Sequence, residues 1–335
     1  MKNLDQIKGQ QAVVRHLENA LSDGKISQAY LITGEEGMGK KTIARAFAAA
    51  LLCEDRKQGS YLSCGRCRSC HQIETDNHPD LKVIAHEKPQ IISVDEIRSQ
   101  VVSDVDIRPY QNGRKVYIIP DAQLMNEQAQ NALLKTLEEP PDYAVIILLS
   151  TNENMMLSTI RSRCIRLPLS PLPEETIKEA LRTDYHIPDY RADQIVRFAR
   201  GNLGKSVEMA QEDDFLNDLH KAGEMMSQVV RRPSYEWSEY IELLTEDKSR
   251  YDFYLGLFID YYRDILLLKA GGDPRRLMFF DEEDTIREEA GGYGFPGLLE
   301  CEQALFLAQK RLKENVKPEL VFFELFQALS DNYER

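Results

Sequence analysis

The sequence predicts an α/β domain built on a five-stranded parallel sheet of phosphate-loop type, with a four-cysteine module inserted and two helical parts after it. Three observations predict it. Five short apolar runs alternate with helical patterns over the first half of the chain. The first run leads through Gly34-Glu35-Glu36-Gly37-Met38-Gly39-Lys40 into an Ala-rich helix, the strand–loop–helix context of a G-x-x-x-x-G-K phosphate loop. From Pro171 onward strand signals give way to helical spacing. The predicted boundaries are 1–168 for the sheet domain with its cysteines, 169–212 for a small helical lid, and 213–335 for an all-α C-terminal domain.

Taken in order, residues 10–21 place Val13, Val14, Leu17 and Leu21 at helical spacing. Residues 29–32 (AYLI) form the first strand, and the helix that follows the loop runs from about Lys40 to Leu52. Residues 81–85 (LKVIA), introduced by His78-Pro79-Asp80, are the second strand; 97–105 reads as a helix and 115–119 (KVYII) as the third strand. The helix over 127–139 sets Leu133, Leu134 and Leu137 on one face and stops at Pro140-Pro141, because proline lacks the amide hydrogen the ladder needs. Residues 144–149 (AVIILL) and 165–169 (IRLPL) complete the set. Strands apolar throughout belong to a parallel sheet covered on both faces. After the linker PLPEET, short helices reach about Gln211; the helical period then persists to the end, with 251–268 the most apolar piece and a break at 291–294.

A formal charge of −13 argues against a broad, stand-alone DNA-binding surface, which needs a positive face. No apolar run reaches the roughly 20 residues that span a bilayer and the N-terminus lacks a secretory pattern, so the cytoplasm is the expected location, with no membrane role.

Four of the six cysteines cluster. Cys64, Cys67 and Cys70 are spaced C-x2-C-x2-C, and Cys53 returns a fourth thiolate across a polar, unpatterned segment. Four thiolates suit a closed tetrahedral structural Zn²⁺ site. Disulfides are the alternative, which a reducing compartment disfavours; His71 and His78 are spare ligands that a complete four-cysteine shell does not need.

In the phosphate loop, Gly34, Gly37 and Gly39 allow backbone amides to turn toward phosphate oxygens, Lys40 supplies a cation, and the following helix terminus adds partial positive charge. A hydrolytic site also needs Ser or Thr after the lysine to ligate Mg²⁺. Here that residue is Lys41, and Thr42 lies one position further, about 100° round the helix. The third strand, where hydrolases end in Asp-Glu, continues as Pro120-Asp121-Ala122, so one acid is missing in either register. ATP or ADP binding at Lys40 stays open, with no hydrolysis expected.

The chain resembles the bacterial clamp-loader AAA+ family. The resemblance is carried by Ile7-Lys8-Gly9-Gln10, the loop 34–40, the four cysteines, His78-Pro79-Asp80, the run Asn131-Ala132-Leu133-Leu134-Lys135-Thr136-Leu137-Glu138-Glu139-Pro140-Pro141, and Ser162-Arg163-Cys164. It implies a subunit of a pentameric ring with gamma/tau-type ATPase subunits and a delta subunit, loading a sliding clamp onto primer–template DNA for DNA polymerase III. The departures at Lys41 and Pro120–Ala122 favour its non-hydrolysing branch. The resemblance further implies that Arg163 acts in trans as an arginine finger in a neighbour's ATP site, where chemistry alone suggests only an exposed strand-end arginine. It also implies that Ile7–Gln10 lines an adenine pocket, that Gly204 stands where active siblings carry a phosphate-sensing arginine, with Lys205 beside it, and that the aromatic C-terminal domain is a collar. The alternatives are an ATP-hydrolysing motor subunit of the same family and a zinc-dependent nucleic-acid-binding module.

Overall fold

The computed structural model describes residues 3–88, 90–111, 113–211 and 215–333. It divides into two compact units, residues 1–209 and 210–335. The predicted lid falls inside the first unit apart from its end, and the boundary drawn between 212 and 213 lies outside the described residues.

In chain order the first unit runs α1 (Gln11–Ser22), β1 (Ala29–Thr33), α2 (Lys40–Leu52), α3 (Arg68–Glu74) and β2 (Leu81–Val83). Next come α4 (Val94–Ile97), a π-helical turn over Arg98–Val102, α5 (Ser103–Val105), β3 (Lys115–Ile119), α6 (Glu127–Glu138) and β4 (Ala144–Ser150). It closes with α7 (Ser158–Arg161), β5 (Ile165–Pro168), α8 (Glu174–Tyr185), α9 (Asp189–Ala199) and α10 (Leu203–Gln211). The five expected strands are present, all parallel, in the order β2-β3-β4-β1-β5. Every residue of β1, β3 and β4 is buried, which is why these strands read as apolar runs interrupted only at their ends, by Thr33, Lys115 and Ser150. Alternate residues serve opposite faces. Tyr30, Ile32, Val116, Ile118, Val145 and Ile147 pack with α1 and α2. Leu31, Tyr117, Ile119, Ile146 and Leu148 pack with α4–α6. Because β1 lies between β4 and β5, the loop leaving its carboxyl end opens at a crossover of the sheet, where α/β sheets place their ligands.

The second unit is all-helical, as expected: α11 (Phe215–Arg231), α12 (Ser238–Thr245), α13 (Tyr251–Lys269), α14 (Glu283–Gly292), α15 (Phe295–Lys313) and α16 (Pro318–Asp331). The aromatic α13 is its central core helix. Phe258 packs near Phe326, Tyr261 edge-on to Phe279, and Tyr262 donates to or accepts from Tyr293 across 2.7 Å. Asp264, fully buried at the α13 core face, accepts the Met278 and Phe279 amides at 2.7 and 2.9 Å. No helix among the described residues is long and apolar enough to cross a membrane.

Candidate functional site

The loop between β1 and α2 forms as its spelling requires. Gly37 and Gly39 adopt φ of 82° and 91°, the left-handed region that glycine enters without a Cβ penalty. Lys40 opens α2 but folds back, its Nζ donating to the carbonyls of Gly34 at 2.5 Å and Glu35 at 2.7 Å. Only 8% of Lys40 is exposed. Burial therefore pushes its ammonium pKa down, while Asp121 and Glu36 push back.

Lys41 and Thr42 go separate ways. The Lys41 ammonium stands 3.9 Å from the carboxylate of Asp121, just past the end of β3. Thr42 lines a 320 Å³ cavity beside the loop together with Ile7, Met38, Leu172, Leu203 and Val207. The segment Ile7–Gln10, expected near such a pocket, does contribute Ile7, Lys8 and Gln10 to its wall. Gln10 is fixed there by a two-way amide pair with Ser170, at 2.7 and 3.0 Å.

The lid helix α10 sits on the loop itself. The Gly204 amide donates to Gly37 O at 3.0 Å and the Asn202 side-chain amide to Glu36 O at 2.6 Å. Lys205 Nζ pairs with the Glu35 carboxylate at 3.0 Å. A Cβ at Gly204 would lie 2.5 Å from both Cα and O of Gly37, so only glycine fits the approach. The family resemblance implies an arginine's place at Gly204; the packing gives a reason for glycine that does not depend on it. Nothing in the sequence singles out Asn202 or Glu35, since their partners lie 166 and 170 residues away.

Cys53, Cys64, Cys67 and Cys70 come together with all four sulfurs within 4.8 Å of one another. The pairs Cys53–Cys67 and Cys64–Cys70 are each 4.0 Å apart, far beyond a bonded disulfide. They lie close to the roughly 3.8 Å edge of a tetrahedron with 2.3 Å Zn–S bonds. The set fits a Zn²⁺ ion. Backbone amides of Cys64, Cys67 and Cys70 already donate to neighbouring sulfurs at 3.2–3.4 Å. Burial pushes the Cys64 thiol up, but the amides of Arg66 and Cys67 outweigh it and bring the thiol to about 7; burial pushes Cys70 well up. Cys67 caps α3, whose first turn carries Cys70, while residues 54–63 between Cys53 and Cys64 form neither helix nor strand. His71 and His78 do not join the cluster. His78 Nε2 instead lies 2.7 Å from Ser69 Oγ, and the Asp80 amide donates to its Nδ1 at 3.1 Å. The Ser69 hydroxyl is spent on Leu52 O at 2.6 Å, so His78 must be the donor in that pair. The His-Pro-Asp run thus ties the cysteine helix to the sheet.

Arg163 is exposed just before β5. Its Nη2 meets Glu138 Oε1 at 2.6 Å and its Nη1 donates to Thr159 O at 2.8 Å.

A parallel sheet in this strand order, a glycine loop feeding a helix at its crossover, and three short helices packed after it define a AAA+ domain, here joined to a four-cysteine cluster that fits a metal ion and to an all-helical unit. The family model for "DNA polymerase III, delta subunit" matches residues 9–173. The delta-prime subunit of DNA polymerase III from Bacillus subtilis is 27% identical over 315 residues, 92% of each chain. That of Escherichia coli is 31% identical over 229 residues, 68% of this chain and 66% of its own. The Escherichia coli tau subunit is 34% identical over 211 residues, but this chain spans only 32% of its length. The chain belongs to the delta-prime family of DNA polymerase III subunits.

Proposed function

We propose that this chain is a non-hydrolysing subunit of a DNA polymerase III clamp-loader ring. In that ring it supplies Arg163 to the ATP site of a neighbouring gamma/tau-type subunit during loading of the sliding clamp onto primer–template DNA. The observation that carries the reading is the Lys41–Asp121 pair. Magnesium-dependent hydrolysis needs a hydroxyl and a carboxylate to share a divalent cation beside the phosphates. Here an ammonium occupies the hydroxyl's place in the sequence and stands 3.9 Å from the carboxylate. A second cation brought to Asp121 would meet the Lys41 charge at short range.

The rest follows from that division of labour. A guanidinium neutralises charge developing on a transferred phosphoryl group, and Arg163 is exposed for a neighbour to use. Residues 169–212 act as the lid and 213–335 as the collar through which a delta subunit and the ATPase subunits pack into a pentamer in the cytoplasm. The four-cysteine site holds Zn²⁺ structurally.

Reconstitution with the ATPase subunits and the remaining ring member tests the proposal. Arg163→Ala should leave assembly intact while clamp- and DNA-stimulated ATP turnover falls tenfold or more, on the order expected for an arginine finger. Unchanged turnover refutes the finger role. Steady ATP hydrolysis by the purified chain alone would refute the non-hydrolysing role and restore the motor-subunit alternative.

A further inference from the structure

Arg163 sits on a segment that the structure ties at three places to α6 and the turn before it. Gln123, in the turn before α6, accepts the Thr151 amide at 3.1 Å. Gln130, only 4% exposed in the middle of α6, donates to Met125 O at 3.0 Å and Met155 O at 3.1 Å, and accepts the Leu157 amide at 2.7 Å. Glu138, the last residue of α6, takes Arg163 itself. Between these ties Met156 and Ile160 are buried in the core beneath α6. The segment is therefore splinted to a helix rather than carried as a free loop, and its last tie reaches the guanidinium.

We propose that Glu138 is a positioning residue for Arg163, a role that rests on the proposed function of Arg163 and deepens it. Both terminal nitrogens of the guanidinium are engaged, one by Glu138 and one by Thr159 O. A guanidinium offers five N–H donors, so three are left for phosphate oxygens. Holding the long side chain in one orientation before a partner arrives removes rotamer entropy that would otherwise be lost on engagement. The carboxylate acts oppositely through its charge, diluting the positive field that Arg163 offers. Side-chain exposures of 35% and 48% decide between the two. In so wet a pair the charge effect is screened, whereas orientation is not. Orientation wins.

Glutamine separates the two effects because it keeps an acceptor oxygen and drops the charge. In the reconstituted ring, Glu138→Ala should lower maximal stimulated ATP turnover about two- to fivefold, the range for an exposed ion pair, without changing KM for ATP or assembly. Glu138→Gln should stay close to wild type. Glu138→Ala added to Arg163→Ala should change nothing further, because the residue acts only through the arginine. Additive losses in the double variant, or wild-type or raised turnover in Glu138→Ala, overturn the inference while leaving the finger role standing. An inert Arg163→Ala removes the underlying reading and this inference with it.

Discussion

Placing a single methyl group at Gly204 tests whether the phosphate loop and the lid hold each other. In Gly204→Ala the new Cβ meets Gly37 Cα and O at 2.5 Å and the carbonyl carbon at 2.9 Å, all backbone atoms that cannot rotate away. Restoring ordinary contact needs a displacement of about 1 Å. That breaks the Gly204 amide bond to Gly37 O (3.0 Å) and strains the Asn202 bond to Glu36 O (2.6 Å). At about 1 kcal/mol per hydrogen bond the loss is about 2 kcal/mol. The Lys205–Glu35 pair adds little, being 45% and 65% exposed. Alanine recovers up to about 1 kcal/mol of helix propensity, and less here because Gly204 is in the first turn of α10. The net is a destabilisation of about 1–2 kcal/mol. It cannot exceed the worth of the lid contacts, since the lid can lift before the sheet unfolds. For a unit of this size that is a Tm lowered by about 2–8 °C. Circular dichroism melts follow the whole chain, while the single tryptophan, Trp237, belongs to the second unit and serves as an internal control. Hydrogen exchange at the Gly204 amide should accelerate in the variant. An equal or higher Tm with unchanged exchange would mean that the close approach contributes no cohesion.

The cysteine module should carry one Zn²⁺ per chain. Its chelation should lower the melting of the first unit while leaving the Trp237 signal in place, because metal binding there is folding free energy; a chain that melts identically with and without metal contradicts the assignment. His78 gives a pH dependence. Burial holds its pKa below the usual histidine value, against the pull of Asp80 and Glu54, so the folded chain binds fewer protons there than the unfolded one. This contribution is complete above about pH 6.5 and is lost as pH falls below it. Urea midpoints should drop from pH 7.5 to 5.5, and drop less in His78→Gln; an equal drop in both rules His78 out as the source.

The sheet was legible because burial leaves a plain mark on residue type: β1 and β4 are apolar at every interior step, and Pro140-Pro141 announces where α6 must stop. The loop and the cysteine set were legible for another reason, since their spacing is local and each residue type has few other uses. Helix α3 was not legible, because its length is set by the Cys67 cap and the ties of Ser69 to Leu52 and His78 rather than by an apolar period. The lid contacts were invisible in principle. Glu35 and Lys205 are ordinary charged residues 170 positions apart, and no local pattern says that they meet. Glu138 belongs to a recognisable family run, but its pairing with Arg163 depends on how the β4–β5 connection folds back over α6.

Three lysines border the loop, and each is committed to the protein itself: Lys40 to two loop carbonyls, Lys41 to Asp121, Lys205 to Glu35. Their burial ranks what a phosphate would have to displace. Lys41 and Lys205 are wet and their pairs are worth little. Lys40 is buried, so withdrawing it from Gly34 O and Glu35 O costs desolvated hydrogen bonds to a charged donor, about 1.5–3 kcal/mol each. A triphosphate would repay that cost in an active site partly through magnesium, which bridges its charge to protein oxygens. On the proposed reading Lys41 removes that repayment, and Glu35 and Glu36 add negative charge on the loop. A nucleotide would first have to displace the contacts that fill the loop from within. The loop is also the joint that sets α10 against the sheet, and on the proposed reading the residue that acts on a phosphoryl group is Arg163, on another chain's substrate.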